Sequence, residues 1–204
     1  MIEFFFDCSS PWTYIAFRNI QPLAAELKVP IIWRPVLVGG IFNTANQGVY
    51  AARENLDSAK NRYLIKDVQD NARAVKLDIV FPPKVFPVNS VKAMRACLWV
   101  AQDAQAQSHY LEFIEALFAA YFTHNEDISQ DAVLASLCTA TSIDAVAMMA
   151  GIVNIKIKEQ LKANVDEAIA RGAFGAPTFF VGDDMYFGND RLPLVRAAVL
   201  ALRG

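Results

Sequence analysis

Pro177 lies at the centre of an unusual loop, since residues 172–182 read GAFGAPTFFVG. Proline removes a backbone donor and clashes with the preceding helical turn, so this segment cannot be the interior of a helix. The residue before it, Ala176, is pushed toward extended geometry. An X–Pro bond between a glycine-rich turn and a strand is a candidate for the cis form. By itself, the loop also fits a plain turn before an edge strand.

Ser10 is the second candidate for chemistry, because it precedes a proline at the expected start of a helix. Its hydroxyl can cap that helix, and Pro11 fits the first helical position. A hydroxyl at a helix N-terminus can also donate a hydrogen bond to an incoming anion, with the helix dipole contributing. A thiolate is one such anion, and its pKa would fall from the free value of about 8.5. The spacing alone leaves the capping and anion-binding interpretations open.

The composition excludes several classes of function. Of 204 residues, 54% are hydrophobic and 20% are charged, and the formal net charge is -2. These values indicate a globular protein without the basic face that nucleic acid requires. The sequence shows no signal-peptide pattern and no apolar run near the ~18 residues of a membrane span, so we expect a cytoplasmic protein without a membrane partner. The three cysteines are far apart and the two histidines stand away from other ligand types, so we expect neither a disulfide framework nor a metal site.

The N-terminal elements that must position Ser10 follow from the apolar pattern. Ile2–Phe6 predicts a short buried strand. The apolar spacing that follows predicts a helix with a kink or a restart at Pro22. Val29–Val38 predicts a second strand, so that residues 1–38 form a βαβ unit with parallel strands and a right-handed crossover.

The middle of the chain has a predominantly helical pattern. Gly39-Gly40 should break the second strand, and residues 41–49 should form a loop or a short helix. Phe81–Val88, with three prolines, must be an extended loop. The predicted helices of this region are Asp57–Leu77, Ser90–Gln105, His109–Phe122, Ser129–Thr139, Ser142–Ala150 and Asn154–Arg171.

The C-terminal segment should return to the sheet. Thr178–Val181 and Met185–Phe187 flank a Gly-Asp-Asp turn, which predicts a hairpin. A final helix from Asp190 to Leu202 should bury one face, with Leu202 on it.

The element order is therefore βαβ, a block of helices, then ββα. This order predicts an α/β protein with a thioredoxin-like βαβ…ββα core from residues 1–38 and 171–204. Residues 39–170 would be a large helical insertion, with a cleft at the seam. In thioredoxin-like folds the turn after the first strand carries a redox Cys-x-x-Cys that faces a cis-proline loop, and here Ser10 and Thr13 take the two cysteine positions. Without two thiols there, the protein cannot cycle a disulfide of its own at this site.

Five motifs stand in order along essentially the whole chain: Asp7-x-x-Ser10-Pro11-x-x-Tyr14, Arg34-Pro35-Val36-Leu37, Phe86-Pro87-Val88-Asn89, Phe174-Gly175-Ala176-Pro177-Thr178 and Phe187-Gly188-Asn189-Asp190-Arg191-Leu192. Together they resemble the motifs of 2-hydroxychromene-2-carboxylate isomerases. Those enzymes belong with kappa-class glutathione transferases in the DsbA-like branch of the thioredoxin superfamily. Any one motif would be weak, but the set is specific.

The resemblance implies glutathione as the cofactor. Ser10 would be the catalytic residue that stabilises the glutathione thiolate, and the backbone of Ala176, before Pro177, would pair with the cysteinyl part. Asn189 and Asp190 would bind the γ-glutamyl end, since helix N–H groups suit its carboxylate and Asp190 suits its ammonium. By spacing alone, both residues also fit an ordinary N-cap.

Further implied contacts are less settled. A second glutathione-side amide would be Gln47, or Asn46 if the register slips. Asn89 would hydrogen-bond the acid or phenol of the substrate, although it equally fits a cap of the helix from Ser90. Asn43 stands on the substrate side where family members often carry a lysine. The absence of that cation weakens the case for the particular substrate and leaves the glutathione site largely untouched.

The implied reaction interconverts 2-hydroxychromene-2-carboxylate and trans-o-hydroxybenzylidenepyruvate, a step of aromatic degradation, by reversible thiolate addition. A kappa-like glutathione transferase or peroxidase is one alternative, and a non-enzymatic DsbA-like peptide-binding domain is another. The resemblance alone suggests a homodimer. Cys8 is expected to be a small buried hydrophobe, and Arg34 either anchors the sheet edge or meets a substrate anion.

Overall fold

The computed structural model describes residues 1–49 and 58–203 of the chain. Within them, four strands form one sheet in the order β2-β1-β3-β4. β1 is parallel to β2 and antiparallel to β3, which is antiparallel to β4. The end of β1 therefore lies beside the start of β3. The strands are β1 (Ile2–Phe6), β2 (Ile31–Pro35), β3 (Thr178–Val181) and β4 (Asp184–Phe187).

Helices cover both faces of this sheet. The arrangement β1-α1-β2, then α2 to α8, then β3-β4-α9 confirms the predicted thioredoxin-like α/β fold. Short 3-10 turns precede α5 and α9. The helices of the described residues are α1 (Pro11–Leu27), α2 (Val38–Ala45), α3 (Ala59–Ala74), α4 (Val91–Gln102), α5 (Tyr110–Phe122), α6 (Asp131–Ala140), α7 (Ala145–Gly151), α8 (Ile155–Ala170) and α9 (Leu192–Ala201).

β1 is apolar on both of its faces because helices cover both. Phe4 stacks on Phe179 of β3 with ring centroids 4.8 Å apart and joins the core under α1 and α9. Phe5 points the other way and packs with Phe180 in a smaller core under α2 and α8. Each fully buried phenylalanine contributes roughly 1.5–3 kcal/mol of transfer free energy. This packing fixes the end of β1, from which Ser10 follows.

α1 runs through Pro22 without interruption, so the predicted restart there is wrong. Proline in a helix interior costs about 3 kcal/mol or more. Ile20 and Ala24, on either side of Pro22, are both buried in the main core. Their packing stabilises the helix on both sides of Pro22.

Several predicted boundaries shift. β2 ends at Pro35, short of the predicted Val29–Val38, and Gly39-Gly40 lies inside α2 instead of breaking a strand. Burial of Ile41 and a hydrogen bond from the Val38 amide to a distant carboxylate stabilise this helix start.

The limits of the other helices lie within three residues of their predicted limits. α3 begins at Ala59, and the predicted start at Asp57 lies outside the described residues. α9 ends at Ala201, so Leu202 is 70% exposed rather than buried. The division into residues 1–38 with 171–204 and residues 39–170 stays a prediction.

Candidate functional site

Ser10 and Ala176 meet across the end of the sheet. Ser10 is the N-cap of α1, and its Oγ accepts a hydrogen bond from the Thr13 amide at 3.3 Å. The same hydroxyl donates to the Ala176 carbonyl oxygen at 3.2 Å. Both residues are buried, and the Ala176–Pro177 peptide bond is cis, as the loop composition indicated. The fold thus brings together a helix-capping hydroxyl and the proline loop.

The hydroxyl of Ser10 is shared between two roles. Capping uses its oxygen as an acceptor, which leaves its single proton free for another partner. In this structure the Ala176 carbonyl receives that proton. The capping interpretation is therefore correct, and it does not compete with donation to an anion, because the two roles use different parts of the hydroxyl.

The Pro177 loop is held by contacts from two other segments. The Gly188 amide donates to the Pro177 carbonyl at 3.0 Å, which ties the end of β4 to the loop. The Asn46 side-chain amide, at the C-cap of α2, donates to the Phe174 carbonyl at 3.2 Å. These contacts hold the loop on both sides of Ala176, whose carbonyl faces Ser10.

Asn189 and Asp190 lie on the 3-10 turn between β4 and α9. Asn189 accepts a hydrogen bond from the Asn19 side chain of α1 at 2.8 Å, so it is already oriented toward the core helix. The Asp190 carboxylate pairs with Arg191 and is 70% exposed. The alternative of an ordinary N-cap is wrong, because the cap positions, Gly188 and Arg191, carry no side-chain cap bond.

Of the two alternatives on α2, Asn46 and not Gln47 contacts the proline loop. Gln47 is exposed and donates to the Asn43 carbonyl one turn earlier, at 2.8 Å. Asn43 is also exposed, on the outer part of α2. The choice between the neighbouring amides could not be made from spacing, because it depends on where the loop lies.

Asn89 caps α4. Its Oδ1 accepts from the Val91 amide at 3.1 Å, and its side chain is exposed. Ser90, in the formal N-cap position, makes no cap bond and instead donates to a buried carboxylate. The cap interpretation of Asn89 therefore describes the structure, and its exposure leaves the substrate-side role as a prediction.

Sequence reasoning quoted Asp7 as part of a motif but gave it no role. Its carboxylate is 1% exposed and accepts from the Ser9 amide at 2.9 Å, the Val38 amide at 2.8 Å and the Ser90 hydroxyl at 3.1 Å. Burial raises the pKa of Asp7, and these donors counteract part of that effect. The signal available in the sequence was an acid directly after an apolar strand, three residues before Ser10.

Two other residues considered from the sequence, Cys8 and Arg34, have structural roles. Cys8 is fully buried, and burial followed by the charge of Asp7 raises the pKa of its thiol, so it behaves as an inert core residue, as expected. Arg34 pairs with Glu3 at 3.2 Å and with Glu167 at 3.6 Å, so it anchors the sheet edge.

The described residues can also be compared with the requirements of a metal site, a membrane span and a ligand cavity. Residues 1–49 and 58–203 contain no group of three or more His, Cys, Asp or Glu side chains that could hold a metal ion. No helix in the same ranges is long and apolar enough to cross a membrane. A depression of ≈ 490 Å³ lies between α1 and α5 at the predicted seam. Its lining does not include Ser10 or the Pro177 loop.

Comparison with known proteins places this geometry in a family. The DSBA-like thioredoxin domain family matches residues 1–200. Among curated proteins, glutathione S-transferase kappa 2 of Caenorhabditis elegans is 26% identical over 207 residues, covering 96% of this chain and 89% of that protein. 2-Hydroxychromene-2-carboxylate isomerase of Pseudomonas putida is 25% identical over 199 residues, covering 98% and 94%.

A solved structure of 2-hydroxychromene-2-carboxylate isomerase agrees in fold. Its TM-score is 0.79 at 24% identity, with 98% of this chain and 95% of that chain covered. The sheet order, the cis Pro177 loop facing the start of α1 and the match over residues 1–200 agree with one another. The chain belongs to the DsbA-like thioredoxin domain family.

Proposed function

We propose that this protein is a glutathione-dependent isomerase that interconverts 2-hydroxychromene-2-carboxylate and trans-o-hydroxybenzylidenepyruvate, or a closely related aromatic-degradation intermediate. The observation that carries the proposal is the hydrogen bond between the Ser10 hydroxyl and the Ala176 carbonyl. Relatives named as this isomerase cover nearly all of the chain, which supports the reaction class.

The residues around Ser10 fit the glutathione tripeptide. Released from each other, the Ser10 hydroxyl is a donor for a sulfur anion and the Ala176 carbonyl is an acceptor for a peptide N–H. The positive end of the α1 dipole lies at the same point and favours an anion there. When bound, glutathione supplies a nucleophilic thiolate for reversible addition to the conjugated substrate. Ser10 and Thr13 cannot supply that sulfur, and the thiol of Cys8 is buried.

The remaining glutathione contacts follow from exposure and charge. Asp190 presents an exposed carboxylate that suits the γ-glutamyl ammonium, beside Asn189, whose side chain is already oriented by Asn19. Asn46 at the loop, or Gln47 beyond it, supplies a side-chain amide. Ser10 orients the sulfur and lowers the pKa of the thiol, since a hydrogen bond to a charged group contributes roughly 1.5–3 kcal/mol.

The substrate side is assigned to Asn43 and Asn89, which offer neutral hydrogen bonds to a carboxylate or phenol. A kappa-like glutathione transferase is the second candidate, because the first curated relative carries that name and Asn43 leaves no cation at this position. Both functions use the same Ser10 and Ala176 site. A cytoplasmic location and a homodimer remain predictions.

Calorimetry with Ser10→Ala tests the site. In calorimetry, wild type stripped of glutathione should release heat when glutathione is titrated in. In a separate measurement of thiolate absorbance, the apparent pKa of the bound thiol should be about 1 to 2 higher in Ser10→Ala than in wild type. Ser58→Ala is the matched control, because Ser58 caps α3 through the Asn61 amide at 3.2 Å in the same way. No heat with wild type, or the same thiol pKa in Ser10→Ala, would contradict the assignment.

Substrate assays then separate the two candidates. An isomerase should change the absorbance of the chromene acid in a glutathione-dependent way and leave glutathione unconsumed. A transferase should instead consume glutathione with an electrophilic chloroarene. Glutathione binding without either activity would remove both reactions and leave the binding site.

A further inference from the structure

Four hydrogen bonds form a closed circuit around the candidate site. The Ser10 hydroxyl contacts the Ala176 carbonyl at 3.2 Å, and two residues earlier the Phe174 carbonyl accepts from Asn46 at the end of α2. At the other end of α2, the Val38 amide donates to a carboxylate oxygen of Asp7 at 2.8 Å. The Asp7 backbone carbonyl in turn accepts from the Ser10 amide at 3.2 Å, which closes the circuit.

Asp7 supplies the cap that α2 lacks. The N-cap residue of α2 is Leu37, whose side chain has no hydrogen-bonding group, and it makes no cap bond. The Asp7 carboxylate, at the end of β1, accepts from the first helical amide, Val38, in its place. A negative charge at a helix N-terminus is also favoured by the helix dipole. The start of α2 is therefore set by the residue that precedes the Ser10 turn.

The same carboxylate reaches two further segments. One oxygen accepts from the Ser9 amide inside the Ser10 turn, and the other also accepts from the Ser90 hydroxyl at the start of α4. Asn89, the predicted substrate-side residue, directly precedes Ser90. One buried side chain thus contacts the three segments that carry Ser10, the residues of α2 and Asn89.

We propose that Asp7 is a positioning residue, which fixes α2 and the start of α4 against the Ser10 turn and so sets the spacing between the glutathione side and the substrate side. The functional part of this inference rests on the proposed function. The structural part, that Asp7 sets the position of α2, stands without it. Asp7 itself does not touch a ligand, because it is buried beneath the turn.

The charge of Asp7 has identifiable neighbours. Three ionisable groups lie near the Asp7 carboxylate: Cys8 on its own segment, Cys97 on α4 and Tyr121 on α5. Burial is the main cause of the raised pKa of each group, and the charge of Asp7 raises it further. All three groups are neutral, so the carboxylate is stabilised by hydrogen bonds rather than by an ion pair. An amide in its place would offer one acceptor oxygen and would turn an N–H toward a donor.

Amide exchange measured by NMR on the glutathione-free protein tests the structural part. Asp7→Asn should reduce the protection of the Val38 and Ser9 amides by about tenfold or more, the loss expected for a hydrogen bond to a charged group. Glu3→Gln is the matched control, because the Glu3 carboxylate lies near the start of β1, at the opposite end of the strand from Asp7, and pairs with Arg34 and Arg171. Unchanged exchange at Val38 in Asp7→Asn would overturn the proposal.

Calorimetry tests the functional part. Asp7→Asn should raise the glutathione Kd by about tenfold, since α2 and the Ser10 turn lose their common anchor, whereas Glu3→Gln should leave it within about twofold. An unchanged Kd together with altered exchange at Val38 would overturn the link to binding. If wild type binds no glutathione, the proposed function fails, and the Val38 exchange still decides the role of Asp7.

If Asp7→Asn does not fold, Ser90→Ala tests whether Asp7 anchors the start of α4. It removes one donor to the carboxylate, so the pKa of Asp7 should rise further and the first-turn amides of α4 should exchange about threefold or more faster, while Val38 stays protected. Unchanged exchange in α4 would overturn the anchoring of that helix by Asp7.

The pH dependence of stability distinguishes an ionisable Asp7 from a residue that only fills space in the core, because only a titrating group makes stability depend on pH. Because burial raises the pKa of Asp7 above its ordinary value of 3.8, the folded protein binds this proton more tightly than the unfolded chain. The stability of wild type relative to Asp7→Asn should therefore be greatest below pH 3.8, fall as the pH rises through the raised pKa, and then level off. A flat difference would contradict a carboxylate buried at this junction.

Discussion

The proposed glutathione side and the proposed substrate side of the candidate site are built differently. On the glutathione side, contacts join elements that are far apart in sequence, such as Ser10 with Ala176 and Asn19 with Asn189. On the substrate side, Asn89 caps its own helix and Asn43 lies exposed on α2, where its carbonyl accepts from Gln47. The Ser10 and Asn189 contacts are part of the tertiary structure, whereas the Asn89 contact is local to its helix.

This difference predicts how substitutions on each side affect binding and stability. A substitution of Asn89 alters hydrogen bonding toward a ligand, and the contact that it changes is local to its own helix. Substitutions on the glutathione side also disturb the junction of β1, β3 and α1. The comparison therefore predicts that glutathione affinity and stability respond together where a contact joins distant elements, whereas the exposed Asp190 and the proposed substrate side respond in binding alone.

Gly188→Ala should have the largest effect. Gly188 has φ +100°, and a Cβ there would lie 2.6 Å from the Asp190 carboxylate oxygen. We expect a loss of about 1–3 kcal/mol in the free energy of unfolding and a rise of about tenfold in the glutathione Kd, measured by denaturation and calorimetry. Gly182→Ala is the control, since Gly182 has φ +61° with open space around it and lies at the far end of β3. Equal glutathione Kd values for both variants would contradict the link between the Gly188 turn and glutathione binding.

Asp190→Ala should raise the glutathione Kd by roughly fivefold and leave stability nearly unchanged. The carboxylate is exposed, so its pairing with a ligand ammonium is screened by solvent and contributes no more than about 1 kcal/mol. Asp184→Ala, at the β3–β4 turn, should have no effect on binding. A change in turnover at saturating glutathione, with Kd unaltered, would contradict the assignment of Asp190 to the cofactor.

Asn89→Asp should raise the KM for an anionic aromatic substrate by about threefold, because it places a like charge near the carboxylate and keeps the cap acceptor. The glutathione Kd should stay constant. Asn154→Asp is the matched control, because Asn154 caps α8 through the Lys156 amide at 2.9 Å. The same KM in Asn89→Asp and wild type would remove Asn89 from the substrate side.

Asn43→Lys should have the smallest effect. A lysine at this exposed position introduces a cation and should lower the KM for the chromene acid by about twofold, without changing glutathione affinity. Thr44→Lys, one residue along α2 and also exposed, controls for a general change in surface charge. An equal change in both variants would show that the position of Asn43 carries no specificity.

The sequence predicts those parts of the fold whose signals are local. The Ser-Pro step marks the start of α1, the apolar run marks β1, and the Gly-Asp-Asp turn marks the hairpin, each within one residue. These signals need no partner, because capping groups and turn residues lie next to the structure they specify.

Other features depend on contacts that no local pattern shows. Gly39-Gly40 is helical because Asp7, about thirty residues earlier, caps the helix, and Pro22 is tolerated because the residues around it are buried. The choice of Asn46 over Gln47 at the loop depends on the position of Phe174. Tertiary contacts outweigh local propensity at each of these places.

The antiparallel pairing of β1 with β3 has a consequence for biosynthesis. β1 cannot complete its pairing until residues 178–181 have been synthesised, so Ser10 meets Ala176 only after the helices between them have left the ribosome. Chain closure over such a separation is slow compared with helix formation. A nascent chain could therefore hold folded helices before it holds the Ser10–Ala176 contact, and a product that ended before residue 176 would lack the candidate site.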